Sequence, residues 1–295
     1  MDLKKYKISV ISGIYEAIVY LLFCSFLIPI GCKKISNSGQ SKHTFSEVLC
    51  QPDTLPQFDN IIVQIPVKNS NSHKDTIIGQ IKKSRRIFKP CRKLTFRTFW
   101  KNKNGELITT GKIKMMATGK RWEYQPEKQD EVVIQFEYSD SDIKSYRKNG
   151  LNKGLSDQSW SNQIIEGVIE NVEQVWMHPF RFNQYNFTEV APFPEVKFPL
   201  QIGKTWYGSL HIREGWGDWE NSRGSMEYEV LSRENVSIPY GDLSDCWKIH
   251  AVAKYPFGTS TLTFWFHEDL GFVKKEYTNY GGQTLSILLE EVKIN

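Results

Sequence analysis

The sequence predicts a mainly β protein, folded as an antiparallel open barrel, half-barrel or sandwich. Three observations carry this. Between residues 205 and 293, six short strand-like runs are separated by turns rich in Gly, Pro and Asp, with no helical pattern between them. A second series of the same kind runs from Leu94 to Tyr138. Aromatic residues make up 13% of the chain and include nine Trp, a composition that suits pleated surfaces around a large apolar core.

At the N-terminus, Lys4, Lys5 and Lys7 precede the apolar stretch Ala17 to Cys32, AIVYLLFCSFLIPIGC. A charged region, an apolar region and a small residue at the cleavage point read as an export signal. Cys32, directly after Gly31, narrows this to a bacterial lipoprotein signal. Residues 1–31 would be removed and the Cys32 thiol would carry a diacylglyceryl group. The other reading is an uncleaved anchor helix, since Ile8 to Gly31 holds a single charge, Glu16, and a spanning helix needs about 20 residues. Both readings put the remaining chain outside the cytoplasm and tied to a membrane. The expected location is the periplasmic face of the outer or inner membrane, or the cell surface. Residues 32–46, rich in Ser, Asn and Lys, read as a flexible tether, and 47–295 as the exported β-rich domain.

Ile61–Ile65 and Ile77–Ile81 are two short strands around a polar loop. Leu94–Trp100 and Leu107–Met116 flank the Asn104-Gly105 hairpin turn. Gly119-Lys120 is read as a second turn before a strand over Arg121–Gln125, and Glu131–Tyr138 closes this meander. Over 163–177, Ile164, Ile165, Val168, Ile169, Val172, Val175 and Trp176 fit a 3.6-residue stripe with Glu166, Glu170 and Glu173 opposite. The spacing predicts one amphipathic helix there, packed over a sheet and stopped by Pro179. Pro192, Pro194 and Pro199 make 187–204 an extended connection, either a boundary between two subdomains or a strap across one domain. The six runs that follow are Thr205–Arg213, Ser225–Arg233, Cys246–Lys254, Ser260–His267, Phe272–Thr278 and Thr284–Lys293.

Within 176–292 the chain shows WMHP, then APFPEVKFPLQIGKTW, Glu229-Val, Ile238-Pro-x-Gly241, Cys246-x-x-Ile249, Phe264-Trp265 and Leu270-Gly-Phe-Val273-Lys. This order resembles uncharacterised exported lipoproteins of Bacteroidetes-type bacteria. It is similar, more loosely, to an open β-barrel domain family of unknown function found in exported proteins. The resemblance implies an exported, lipid-anchored β domain and supplies no activity.

No GxSxG elbow, HExxH, P-loop or dinucleotide fingerprint occurs, so no catalytic residue, cofactor or metal is expected. The net charge of +5 is spread without a basic block, which disfavours nucleic acid. Of the cysteines beyond Cys32, Cys50 and Cys91 flank irregular segments and are the first pair to consider for a disulfide. Three unpaired buried thiols, with Cys246, are the alternative. His267-Glu268-Asp269 reads as a polar turn, since adjacent strand residues face opposite sides. The strongest binding hint is aromatic: Trp206, Tyr207, Trp216 and Trp219 surround a Gly-flanked loop and could cover an apolar ligand or stack on sugars, or else plug the barrel end.

The leading expectation is therefore a membrane-anchored, non-catalytic β domain that binds an apolar or envelope-derived ligand in its concave sheet. A carbohydrate-binding or glycan-hydrolysing protein, using the Trp216/Trp219 loop and Asp218, Asp242, Asp245 and Asp269, is the second. A structural subunit of an envelope complex is the third.

Overall fold

Alternation along the strands decides the architecture. In the computed structural model, which describes residues 50–51, 55–66 and 73–294, strand β10 (Arg223–Ile238) buries Gly224, Met226, Tyr228 and Val230 and exposes the residues between them. It is one of twelve strands that form a single antiparallel sheet. They are β3 (Arg92–Lys101), β4 (Leu107–Arg121), β5 (Asp130–Glu137), β6 (Gln163–Glu170), β7 (Gln174–Met177), β8 (Glu195–Lys197), β9 (Thr205–His211), β10, β11 (Gly241–Tyr255), β12 (Gly258–His267), β13 (Gly271–Thr278) and β14 (Thr284–Ile294). The order is β8-β7-β6-β5-β4-β3-β14-β13-β12-β11-β10-β9. Every neighbour is a sequence neighbour except β3 and β14, which pair from Thr284↔Lys101 to Ile294↔Arg92. The sheet is thus a meander that curls into a nearly closed barrel.

The gap falls between β8 and β9, which are joined directly by 198–204, a connection with a cis Phe198–Pro199 bond. Side chains bridge this seam. Trp206 Nε1 donates to Glu195 Oε2 at 3.0 Å, and Lys204 Nζ donates to the carbonyls of Lys197 and Pro199.

Two remaining strands, β1 (Phe58–Pro66) and β2 (His73–Lys82), form a separate two-stranded ribbon. At the ribbon's base, Lys83 and Asp59 join Asp130 and Arg121 in a buried ion cluster, with Arg121 2.7 Å from Asp59 and 3.0 Å from Asp130. Cys50 and Cys91 form a disulfide, and Cys246 is a buried free thiol. The export signal, Cys32 and the tether over 32–46 lie outside the described residues.

The helix expected over 163–177 does not form. These residues are the hairpin β6–β7, paired Val168↔Met177 to Glu170↔Val175. The inward face is Ile164, Glu166, Val168 and Glu170, so two carboxylates expected on a solvent face are buried. All six stripe residues other than Trp176 are β-branched, which favours a strand. Gly167 sits where an added Cβ would lie 1.8 Å from Gln129 Oε1 and 2.6 Å from the Trp122 ring. Asn171 Oδ1 accepts from the N–H groups of Glu173 and Gln174 and makes the turn. The strand expected over Arg121–Gln125 is also absent: β4 runs on to Arg121 and a turn follows.

The helix that does form, α1 (Asp140–Asn149), begins at a capping box of Ser139 and Asp142 and carries acidic residues first and basic residues last. It buries Tyr146, whose hydroxyl accepts from Asn186 Nδ2.

The barrel interior is occupied by the chain's own residues 178–194. All of 183–194 is buried, including the 3-10 segment Asn183–Val190. Its rings meet inward-facing residues from around the wall: Phe180 on Phe96, Tyr185 on Phe136 and Phe187 on Tyr277. Tyr228 donates its hydroxyl to the Phe193 carbonyl at 3.0 Å. Gly111 in the wall leaves the space that the Tyr185 hydroxyl takes. The 187–204 stretch passes from this interior segment through β8 to the seam.

Candidate functional site

Residues 178–194 take up the middle of the concave face of the sheet and leave a small cleft at one end of it, the second described below. Two clefts among the described residues bear on binding. The larger is an open groove of about 530 Å³ on the outer face, lined by Arg97, Phe99, Thr110, Gly111, Lys112, Glu137, Tyr138 and Asp142. Strand alternation positions it. Thr98 points inward, so Arg97 and Phe99 point out, and the register Lys112↔Arg97 and Lys112↔Glu137 brings three charged side chains side by side. The start of α1 walls one end, where Thr109 hydrogen-bonds Asp142.

The groove is charge-balanced. Arg97 and Lys112 both pair with Glu290, and Lys114 pairs with Glu137 at 2.6 Å. The hydrogen bond from Arg97 is the largest influence on Glu290 and, with Lys112, holds its carboxyl below the usual range. Phe99 and Tyr138 supply half-buried rings between these charges. Tyr138 packs edge-on against Trp160, and burial raises its hydroxyl pKa. Aromatic rings interleaved with planar polar groups suit a ligand that has both apolar faces and hydroxyls.

The groove floor rests on the internal segment. Gly111 is inward at this point, and an added Cβ would lie 2.6 Å from the Tyr185 hydroxyl, so only glycine admits the close approach. The same hydroxyl hydrogen-bonds Thr98 Oγ1 at 2.9 Å. Burial pushes the Tyr185 pKa up to about 12.

The second cleft, about 270 Å³, lies among Ser84, Arg86, Ile87, Glu170, Val175, Phe198, Phe266 and Glu268. Its buried Glu170 carboxylate accepts from the backbone N–H groups of Arg86, Ile87 and Phe88. Burial outweighs these bonds and raises its pKa.

A buried ion network ties the internal segment to β6. Arg181 donates to Glu166 (Nε to Oε1, 3.1 Å) and to Glu189 (Nη1 to Oε2, 3.0 Å), while His178 Nδ1 lies 2.9 Å from Glu166 Oε2. Burial alone would push Glu166 up, but His178 and Arg181 outweigh it and hold the carboxyl low. Burial keeps His178 below its usual range and Glu189 above it.

The four aromatic residues singled out by the sequence do not form one site. Trp206 is buried and stacks on Tyr228 with ring centres 5.2 Å apart, whereas Tyr207, its neighbour on β9, is 63% exposed on the other face. Trp219 is buried and donates its Nε1–H to the Tyr280 hydroxyl. Trp216 is half-buried, with the Arg181 guanidinium 5.8 Å from its ring centre. Their loop is pinned by Asn152, which donates to the Trp216 carbonyl and accepts from Asp218 N–H.

The Asp-rich turns likewise fail to converge. Asp218 accepts from Lys153 N–H, Asp242 accepts from Ser237 and Asp245 pairs with Arg233. His267 Nδ1 accepts from Asp269 N–H, and Glu268 pairs with Arg86. Among the described residues no group of three His, Cys, Asp or Glu could hold a metal ion. The groove itself was not read from the sequence. Its signal was the alternation Arg97, Phe99 against Thr98, visible only once β3, β4 and β5 are aligned.

No protein-family model and no curated protein matches the chain. Among solved structures, a Bacteroides fragilis protein thought to be exported, with a YmcC-like fold, matches with a TM-score of 0.41 and 15% identity, over 69% of this chain and 95% of its own.

Proposed function

We propose that the chain is an exported, non-catalytic binding domain, held at a bacterial membrane through lipid on Cys32, and that its ligand lies in the outer groove of β3, β4 and β5. One observation carries the choice of face: residues 178–194 fill most of the barrel interior and leave a cleft of about 270 Å³ there, while the outer groove is about 530 Å³ and carries Phe99 and Tyr138 between opposed charges. An envelope-derived glycan suits this groove better than an acyl chain. A lipid tail would strip water from Arg97, Lys112 and Glu137 without offering hydrogen bonds in return. The export signal and the Cys50–Cys91 disulfide support an oxidising compartment.

Two measurements test this. Intact mass and membrane fractionation of wild type beside Cys32→Ala should show loss of residues 1–31 and gain of lipid in the wild type alone. Retention of full-length mass in both overturns the lipid anchor in favour of a spanning one. Titration of the full chain with envelope oligosaccharides should show saturable binding that weakens at least tenfold in Phe99→Ala. That loss corresponds to about 1.4 kcal/mol, within the range for one aromatic stacking contact. Binding indifferent to Phe99→Ala removes the groove.

A further inference from the structure

Lys275 is the exception among the barrel's buried charges. It points inward from β13 and is 1% exposed. Its cross-strand partners are Phe264 on β12 and Ile287 on β14. Its Nζ lies 4.4 Å from the ring centre of Phe96 on β3 and 4.7 Å from that of Phe180 on the internal segment. Among the described residues no hydrogen-bond acceptor reaches the amine. The surrounding elements present no carboxylate to it: β3, β12, β14 and the internal segment offer Phe96, Phe264, Ile287 and Phe180. The tyrosines sharing this inner face are Tyr277 on its own strand, Tyr228 on β10, Tyr255 on β11 and Tyr185 on the segment, and burial raises the pKa of each. Glu166, Arg181 and Glu189, by contrast, are mutually paired. Burial alone drives the Lys275 pKa down to about 7.

We propose that Lys275 is a proton sensor for the internal segment: when its amine takes up a proton, the contact between wall and segment at Phe180 loosens, and the change reaches the groove floor through Tyr185. An ammonium without an acceptor is poorly solvated between two phenyl rings, and opening the segment admits water to it. Phe180 starts the segment. Tyr185, five residues on, holds Thr98, whose neighbours Arg97 and Phe99 line the groove. The groove half of this inference rests on the ligand reading above; the sensor half does not.

Amide exchange and NMR of the full chain test the sensor without any ligand. The closed state holds the amine near pKa 7 and the open state near its usual value of about 10.4, so opening is favoured as pH falls. Protection factors of the Tyr185 and Ala191 amides should fall about tenfold from pH 9 to pH 8 and level off below pH 7. In Lys275→Met they should not change with pH. The Lys275 side-chain carbon signals of the wild type should titrate near neutrality, a readout that needs no variant. Titration near pH 10 would show an ammonium held charged by its two rings and would overturn the sensor, as would the same protection profile in both proteins. Glycan affinity measured alongside separates the two halves. A pH dependence lost in Lys275→Met supports transmission to the groove, and a pH-independent affinity overturns transmission alone.

Discussion

Two cations sit inside the same barrel in opposite circumstances. Arg181 is met on both sides by carboxylates, Glu166 and Glu189, with His178 beside them. Lys275 is met by two rings and, among the described residues, by no acceptor. The first is a planar donor fork whose geometry matches two carboxylates, so its desolvation is offset by several hydrogen bonds. The second is a compact point charge whose desolvation is offset only by ring quadrupoles. The comparison shows that burial alone does not decide whether a charge holds a fold together. The partners do.

Removing Arg181 should break the comparison most severely. Arg181→Met leaves Glu166 and Glu189 buried without their cation, and denaturant unfolding should show a loss of about 3–5 kcal/mol. A loss under about 1 kcal/mol would mean that water already reaches these carboxylates.

Lys275→Met should act in the other direction. A lysine whose folded pKa is depressed from 10.5 to about 7 destabilises the fold at and below neutral pH, because the unfolded chain binds the proton more tightly. Wild-type stability should rise as pH climbs from about 7 toward 10, with an upper bound of about 4 kcal/mol across that window. The variant should lack this rise and be more stable than wild type at pH 7. Equal unfolding midpoints at pH 7 and pH 9 in the wild type would contradict it.

A third buried charge lies between these extremes. Glu195 accepts from one neutral donor, Trp206 Nε1, and lies 3.9 Å from Lys197 Nζ; burial outweighs both and raises its pKa. Trp206→Phe keeps the stack on Tyr228 and removes that donor, so a loss of about 1–2 kcal/mol is expected in thermal or chemical unfolding. The smallest effect belongs to the exposed neighbour. Tyr207→Ser should shift stability by no more than about 0.5 kcal/mol. A larger shift would show that the outer face of β9 is covered by something in solution.

Different parts of the chain were legible to different degrees. From Ser225 onward, local alternation and turn residues located every strand to within a few positions, because Ile249, Ala251 and Ala253 face one side whatever their partners are. α1 carried its own local signal in the Ser139–Asp142 capping box, which the sequence reading did not use. The 163–177 stretch satisfied two periods at once. Apolar residues in pairs four apart fit a helix, and the same residues fit a hairpin with Glu166 and Glu170 inside. Local preference could not choose the second without the partners, and those are distant: Arg181 fifteen residues on for Glu166, and the Arg86–Phe88 backbone over eighty residues back for Glu170.

The sequence by itself determined the mainly β character and most strand positions, because these depend on side-chain period and turn chemistry. Tertiary structure decided the rest. Pairing of β3 with β14 curls the meander, the curl creates an interior, and residues 178–194 fill most of it. That filling leaves the larger cleft on the outer face and strands Lys275 between Phe96 and Phe180. Each of these outcomes joins residues far apart in the chain, and a buried charge or an open groove exists only once those residues have met.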